Sequence, residues 1–299
     1  MQYRRRPYLA QASKEALEQR LKDIMNNMAT LTPAGKIGLL PIDTDGIHWM
    51  TLFTHVLEEY TRRNATLPAL PEMPFPRPTG PDLPKSALAL EGTEMPKPGK
   101  ALIKLGKRTH MTELFEFGCI RVAPAGSYSD PSLNYAVSDD ELKLDRVLPG
   151  SEVTLSFQDQ ETGEPRTAKP ISDVTITTSL ESNFYVYCMT DTLTYRLFDD
   201  FEADACVIIH DPATFQTRFL DAMEKRLPEW ADWNQAVEYI DPYLHQREVS
   251  NLAFSKHFRY WYQREYRFAW MPEKRRHSSL APIFVQLGSL DQISELVCL

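Results

Sequence analysis

The stretch FSKHFRYWYQREYRFAW, residues 254–270, decides the fold class. Its second half alternates with period two, so Tyr266, Phe268 and Trp270 share one face and Glu265, Arg267 and Ala269 the other. That pattern predicts a buried strand. The first half is crowded with aromatics and, with the residues before it, predicts a helix over 247–263. The junction Gln263-Arg264-Glu265 is polar, which places a carboxylate at the mouth of an apolar strand.

Working outward, strands are predicted for KALIKLG (100–106), CIRVAP (119–124), EVTLSF (152–157), ACVIIH (205–210), AVEYID (236–241) and APIFVQLG (281–288). VTITTSLESNFYVYCMT (174–190) holds one or two more. RTHMTELFEFG (108–118) predicts a short helix closed by Gly118, and DPATFQTRFLDAMEKRL (211–227) an amphipathic helix started by Asp211-Pro212. DTLTYRLFDDF (191–201) predicts another short helix. AGSYSDPSLNYAVSDDELK (125–143) reads as a loop followed by a polar helix, and SLDQISELV (289–297) as a closing helix. Short strands without regular βαβ alternation indicate an α+β class rather than a doubly wound sheet.

Three regions follow. Residues 1–65 carry two amphipathic helices, SKEALEQRLKDIMNNMATL with Ser13 as N-cap, and IHWMTLFTHVLEEYTRRN. Residues 66–100 hold nine prolines between Pro68 and Pro98, which excludes helix or inner strand and predicts a linker or laid-down arm. Residues 101–299 form the mixed domain. The net charge of −8 argues against a generally basic nucleic-acid surface. Cys119, Cys188, Cys206 and Cys298 have no metal-ligand spacing and are too few for a disulfide scaffold, which suggests buried thiols in a reducing, cytoplasmic compartment. There is no signal-peptide pattern and no apolar run long enough to span a bilayer. Phosphate-loop, dinucleotide-fingerprint, nucleophile-elbow and paired-histidine motifs are absent from the sequence, and no metal is expected.

Three stretches together resemble the α+β ADP-ribosyltransferase fold, especially that of bacterial anti-phage toxins. ALIKLGKRTHMTELFEFGCIRVAPAGSYSDPSLNYAVSDDE is similar to the family's opening strand, helix, strand and Ser/Tyr/Asp-Pro loop. FYVYCMTDTLTYRLFDDFEADACVIIHDP is similar to its central strand followed by a hydroxyl residue, and FSKHFRYWYQREYRFAW to the entry of the strand bearing its catalytic Glu. The resemblance covers 101–299 and implies a split mixed or antiparallel sheet, NAD as substrate and a toxin held by an antitoxin or chaperone. Related toxins modify nucleic acid, so it also implies a nucleic-acid acceptor.

Glu265 can be weighed without the family. An anionic carboxylate at a strand mouth, beside Gln263, suits a ribose hydroxyl and an oxocarbenium-like centre. The plainer reading is an ion pair with Arg264 or Arg267 on an edge strand. For the NAD diphosphate the candidates are Arg108 first and Lys104 second, with Thr109 following. Tyr128 can cover a ring, or belong to a plain turn. Thr190 is the candidate middle hydroxyl, or a cap of the next helix. Lys256, Arg259, Arg264 and Arg267, interleaved with aromatics, form a candidate acceptor strip if they face solvent, and ordinary core and surface if they do not. Asp139, Asp140 and Glu141 with Lys256 give an alternative metal-dependent nuclease reading, against a solvated acidic face. A non-enzymatic partner-binding module is the third reading, with the helices and LPALPEMPFP as its surface.

Overall fold

The computed structural model describes residues 2–32, 36–69, 90, 93, 95–244, 249, 251–274 and 279–299. Most of the expected Pro-rich arm lies outside the described residues, as do His245 and His277. The chain begins with α1 (Gln2–Arg5), α2 (Lys14–Met28), β1 (Ala29–Leu31), β2 (Ile37–Leu39) and α3 (Thr44–Arg62). Next come β3 (Leu102–Gly106), α4 (Arg108–Phe117), β4 (Cys119–Pro124), β5 (Lys143–Leu148), β6 (Leu155–Gln158), β7 (Pro165–Ala168) and β8 (Val174–Ser179). Then follow β9 (Tyr185–Thr190), α5 (Arg196–Asp200), β10 (Ala205–Ile209), α6 (Pro212–Glu224), β11 (Trp230–Ala236) and β12 (Glu238–Ile240). The chain closes with β13 (Ser255–His257), β14 (Glu265–Pro272), β15 (Ile283–Gln286) and β16 (Ser294–Cys298). The fold is α+β.

The main sheet runs β11-β14-β9-β3-β10-β16, with β4 paired to β9 and β15 to β4, and every pairing in it is antiparallel. The sheet splits at β9. Strand β3 meets only its Thr190 end and β4 only its Tyr185–Val186 end, so the two splay apart beside Tyr187–Met189. On one face, Phe215, Phe219 and Met223 of α6 pack on Tyr185, Tyr187, Phe268 and Trp270, joined by Met111 and Leu114 of α4. This is the face that alternation assigns to Phe268 and Trp270. Gly118 closes α4 at φ 64°, and a Cβ there would lie 2.4 Å from the Gly288 carbonyl oxygen, so the close approach requires glycine.

Several expected elements differ. In place of a helix over 247–263, the described residues form a 3₁₀ turn at Leu252–Phe254, strand β13 and a 3₁₀ segment at Phe258–Gln263. Phe258, Tyr260 and Tyr262 are all buried. Residues two apart cannot share one face of an α-helix. They can all be buried only where both sides of the segment are covered, which is the case here. The polar helix expected before 143 is replaced by turns. Asp130 accepts from the Ser132 N–H at 2.9 Å, Asn134 from Ala136 at 2.8 Å and Asp140 from Leu142 at 3.2 Å, local bonds that compete with a helix. The closing helix is instead β16, which satisfies the outer edge of the fully buried β10. The polar strand β11, not expected, edges the sheet beside β14.

Residues 1–65 are not a separate unit. Leu17, Leu21, Ile24, Trp49, Leu52 and Val56 share a core with Phe258, Tyr243 and Trp261. Trp49 stacks on Phe258 with ring centroids 5.8 Å apart and meets Trp261 edge-on at 5.2 Å. Arg20 forks onto Asp241 at 2.9 and 2.7 Å. The Asn27 amide donates to the Phe258 carbonyl at 3.0 Å and accepts from the Tyr262 N–H at 2.9 Å. Among the described residues no helix is long and apolar enough to cross a membrane. Because Trp49 fills the contact between the helical region and 258–261, Trp49→Ala is expected to lower stability by about 3–5 kcal/mol. Denaturant unfolding followed by far-ultraviolet circular dichroism tests this, and an unchanged midpoint would refute the shared core.

Candidate active site

Glu265 opens β14 directly after Arg264, whose left-handed conformation at φ 45° turns the chain out of the 3₁₀ segment. It sits opposite Thr190 on β9, which sits opposite Ile103 on β3. Its backbone N–H donates to the Tyr239 hydroxyl at 2.8 Å. The strand is interior, lying between β11 and β9, so the edge-strand reading is corrected. The expected Glu265–Arg267 pair does form, but inside the protein, with Arg267 0 % exposed and Glu265 6 %.

That pair belongs to a closed ring of four charges. Arg267 Nε donates to Glu265 Oε1, and Arg267 Nη2 reaches Glu141 at 2.6 Å. Lys256 Nζ lies 2.9 Å from Glu265 and 3.4 Å from Glu141. Arg267 Nη1 also donates to the Ala253 carbonyl at 2.8 Å, and Lys256 sits over the Tyr260 ring at 4.6 Å. Burial pushes the Glu265 carboxyl up, but Arg267 and Lys256 outweigh it and hold the group well below the usual carboxylate range. Burial likewise works against charge on Lys256 and Arg267, and the two glutamates raise both well above their ordinary values. The ion pairs thus favour the anionic form of Glu265.

The ring borders a cavity of about 270 Å³. Ile103, Leu105, Val137, Met189 and Phe201 give it apolar walls, and Lys104, Tyr128, Glu141, Cys188, Thr190, Lys256, Gln263 and Glu265 add polar or reactive groups. Lys104 sits in the split of the sheet, donating to the Cys188 carbonyl at 2.7 Å, with its ammonium 4.5 Å from the centre of the Tyr187 ring. Burial lowers its pKa, and Cys188 and Glu265 offset this only in part.

The cavity thus brings together Glu265, Gln263, Lys104, Tyr128 and Thr190. Arg108 and Thr109 are not part of it. Arg108 is exposed at the start of α4, its N–H bonded to Asp204 and its guanidinium to the Leu299 carbonyl. Thr109 is exposed beside it. Lys104 borders the cavity and Arg108 does not, so the order of first and second candidate cation reverses in favour of Lys104. Gln263 is fully engaged, donating to the Ala136 carbonyl at 2.7 Å and accepting from Lys256 at 3.3 Å, so it positions neighbours rather than offering a free amide. The Thr190 hydroxyl lies 3.0 Å from the Thr192 carbonyl and 3.1 Å from that of Arg264, stapling two strand ends rather than capping a helix.

The acceptor strip is not a continuous surface. Lys256 and Arg267 are buried, Arg259 lies over Tyr260 near Asp139, and Arg264 pairs with Asp45 over the Trp261 ring. The nuclease set, Asp139, Asp140, Glu141 and Lys256, lines one outer cleft of about 550 Å³, but Asp140 pairs with Lys143 at 3.1 Å, and among the described residues no three potential metal ligands come together; Glu141 and Lys256 also border the cavity. Glu141 is also not part of a solvated face. It completes the ring at 6 % exposure, and nothing in the local sequence marks it, because its partners lie more than a hundred residues away. Tyr239 and Cys188 were missed as well, since their partners Glu265 and Lys104 lie outside any short window, 26 and 84 residues away. No protein-family model, curated protein or solved structure matches this chain.

Arg267→Met would leave two buried carboxylates facing one cation, so a loss of about 3–5 kcal/mol is expected in chemical denaturation. A loss below 1 kcal/mol (on the order of a surface pair) would show that the ring is not desolvated. The acids of the outer cleft predict a separate pH dependence. Burial raises Asp139 and Asp23 to about 6, above the unfolded value near 3.9. Their contribution is therefore fully present below about pH 4 and lost as pH rises through 6. Glu265, with its depressed value, acts in the opposite sense and only in stronger acid. Asp139→Asn is expected to flatten the fall in melting temperature between pH 4 and pH 7, and a wild-type profile in that variant would contradict the assignment.

Proposed function

We propose that the chain is a NAD-dependent ADP-ribosyltransferase, with the cavity beside Glu265 receiving the nicotinamide–ribose end of the dinucleotide. One observation carries this reading: a carboxylate held by Arg267 and Lys256 borders a largely apolar cavity that also holds an aromatic ring, Tyr128. In a low-dielectric site this carboxylate, whose charge Arg267 and Lys256 share, acts on a cation that develops beside it. Breaking the C1′–N bond sends its electron pair to the pyridinium nitrogen, so nicotinamide leaves neutral and the ribosyl carbon becomes electron-poor. Glu265 opposes that positive charge until an acceptor oxygen or nitrogen attacks and releases its proton to water. The apolar wall and Tyr128 suit the flat nicotinamide ring, and Lys104 suits the neighbouring phosphate.

The ring of charges has a role in this chemistry. Lys256 and Arg267 keep Glu265 ionised, and Gln263 holds Lys256 and the Ala136 carbonyl in place. The family resemblance supports the biological role, that of a cytoplasmic toxin in a toxin–antitoxin or phage-defence system, restrained by an antitoxin or chaperone.

Glu265→Gln is expected to lower NAD turnover by about 10²–10³-fold, the effect of removing one transition-state electrostatic contact. Nicotinamide release from purified protein measures it, with circular dichroism as the control for folding. Turnover at the wild-type rate in a folded variant would sink the reading, as would the absence of any nicotinamide release from the wild-type protein.

A further inference from the structure

A second, larger cavity of about 950 Å³ opens where β3 and β4 splay apart, bounded by α4, the end of α6 and β15. It shares Lys104, Leu105 and Tyr128 with the smaller cavity, so the two adjoin. Its lining is strongly cationic in a chain of net charge −8: Lys104, Lys107, Arg121, Lys225 and Arg226 against the single acid Glu113. Lys107 donates to the Glu202 carbonyl at 2.5 Å, and His110 lies 3.8 Å from Glu113. Among the described residues, none of these five cations has a carboxylate partner within 4.0 Å. Acids elsewhere on the surface are screened beyond about 8 Å at physiological salt, so the local excess governs what binds.

Beside these charges stands an unusual aromatic. Phe284 is 66 % exposed and lies directly opposite Arg121 in the β15–β4 register, which puts a bare ring and a guanidinium side by side in the groove. A single dinucleotide diphosphate carries two charges and leaves most of this set unused. A phosphodiester chain supplies one charge per nucleotide and an unpaired base for the ring.

We infer that this groove binds single-stranded nucleic acid, its phosphates on Arg121, Lys225 and Arg226 and a base against Phe284, and so delivers the acceptor to the Glu265 cavity. The delivery step rests on the transferase reading; the binding does not. It also relocates acceptor binding from the 256–267 segment, where Lys256 and Arg267 are buried, to a surface that can receive it.

The test is fluorescence anisotropy with a labelled 12-nucleotide oligothymidylate, without NAD, over a range of salt concentrations. Arg121→Glu with Arg226→Glu is expected to weaken binding at least tenfold and to reduce the salt slope by roughly 1.4, at about 0.7 per phosphate contact. Phe284→Ala is expected to weaken binding by about tenfold, a stacking effect, with the slope unchanged. These side chains are exposed, and melting temperature confirms that the variants fold. Glu265→Gln should bind the oligonucleotide as the wild type does, which separates this inference from the proposed chemistry. Absence of binding by the wild-type protein at low salt overturns the inference, as does equal binding by the charge-reversal variant. A charge-reversal variant that instead raises KM for NAD, with oligonucleotide affinity unchanged, assigns the groove to the dinucleotide and also overturns it.

Discussion

Glu141, Arg267, Glu265 and Lys256 alternate in sign around a closed, buried ring, and most of the architecture is arranged to keep that ring complete. Removing four charges from water costs several kcal/mol for each ion, and only mutual pairing with good hydrogen bonds offsets it. The four groups come from separate parts of the chain: the turn before β5, strand β13 and two positions of β14. None can be displaced without stranding an opposite charge. The gain is positional. Ring closure fixes the Glu265 carboxylate at the cavity wall and favours its charged form.

The helices before residue 65 serve the same end from outside. Trp49 and Asn27 cover and hydrogen-bond the 258–262 segment, whose neighbour Gln263 touches Lys256. Arg196 on α5 ties the end of α2 to the body of the protein through the carbonyls of Asn26 and Ala29, at 2.7 and 2.9 Å. A region dispensable by length alone is thus bound to the site through two layers of contacts. This packing accounts for the apolar stripes of α2 and α3, which short isolated helices could not support.

What was legible in the sequence was local. Alternation in 265–270 gave the strand and both its faces, Ser13 capped α2, and Asp211-Pro212 and Gly118 marked helix ends. Glu265, Lys104 and Tyr128 were identified by residue type and do meet at one cavity. What failed depended on distant partners. The 252–263 segment buries Phe254, Phe258, Tyr260 and Tyr262 together with Lys256 and Gln263, so burial follows its distant partners and its period carries no clean helix or strand signal. Ser294–Cys298 takes its conformation from the β10 edge it satisfies, overriding a helical pattern. The burial of Glu141 and Arg267 is a property of the ring, and no short window contains the ring.

Strand β10 lies between β3, far before it in sequence, and β16, far after it. Neither neighbour can be reached by a hairpin, so both ladders close long loops before they return any hydrogen bonds. Such non-local pairing slows folding. During synthesis the apolar ACVII core strand must wait with one ladder unfilled until residues 294–298 are made, and an open, wholly hydrophobic strand edge invites association with other chains. A folding intermediate that exposes its most apolar strand edge is the physical consequence of placing that strand between such widely separated partners.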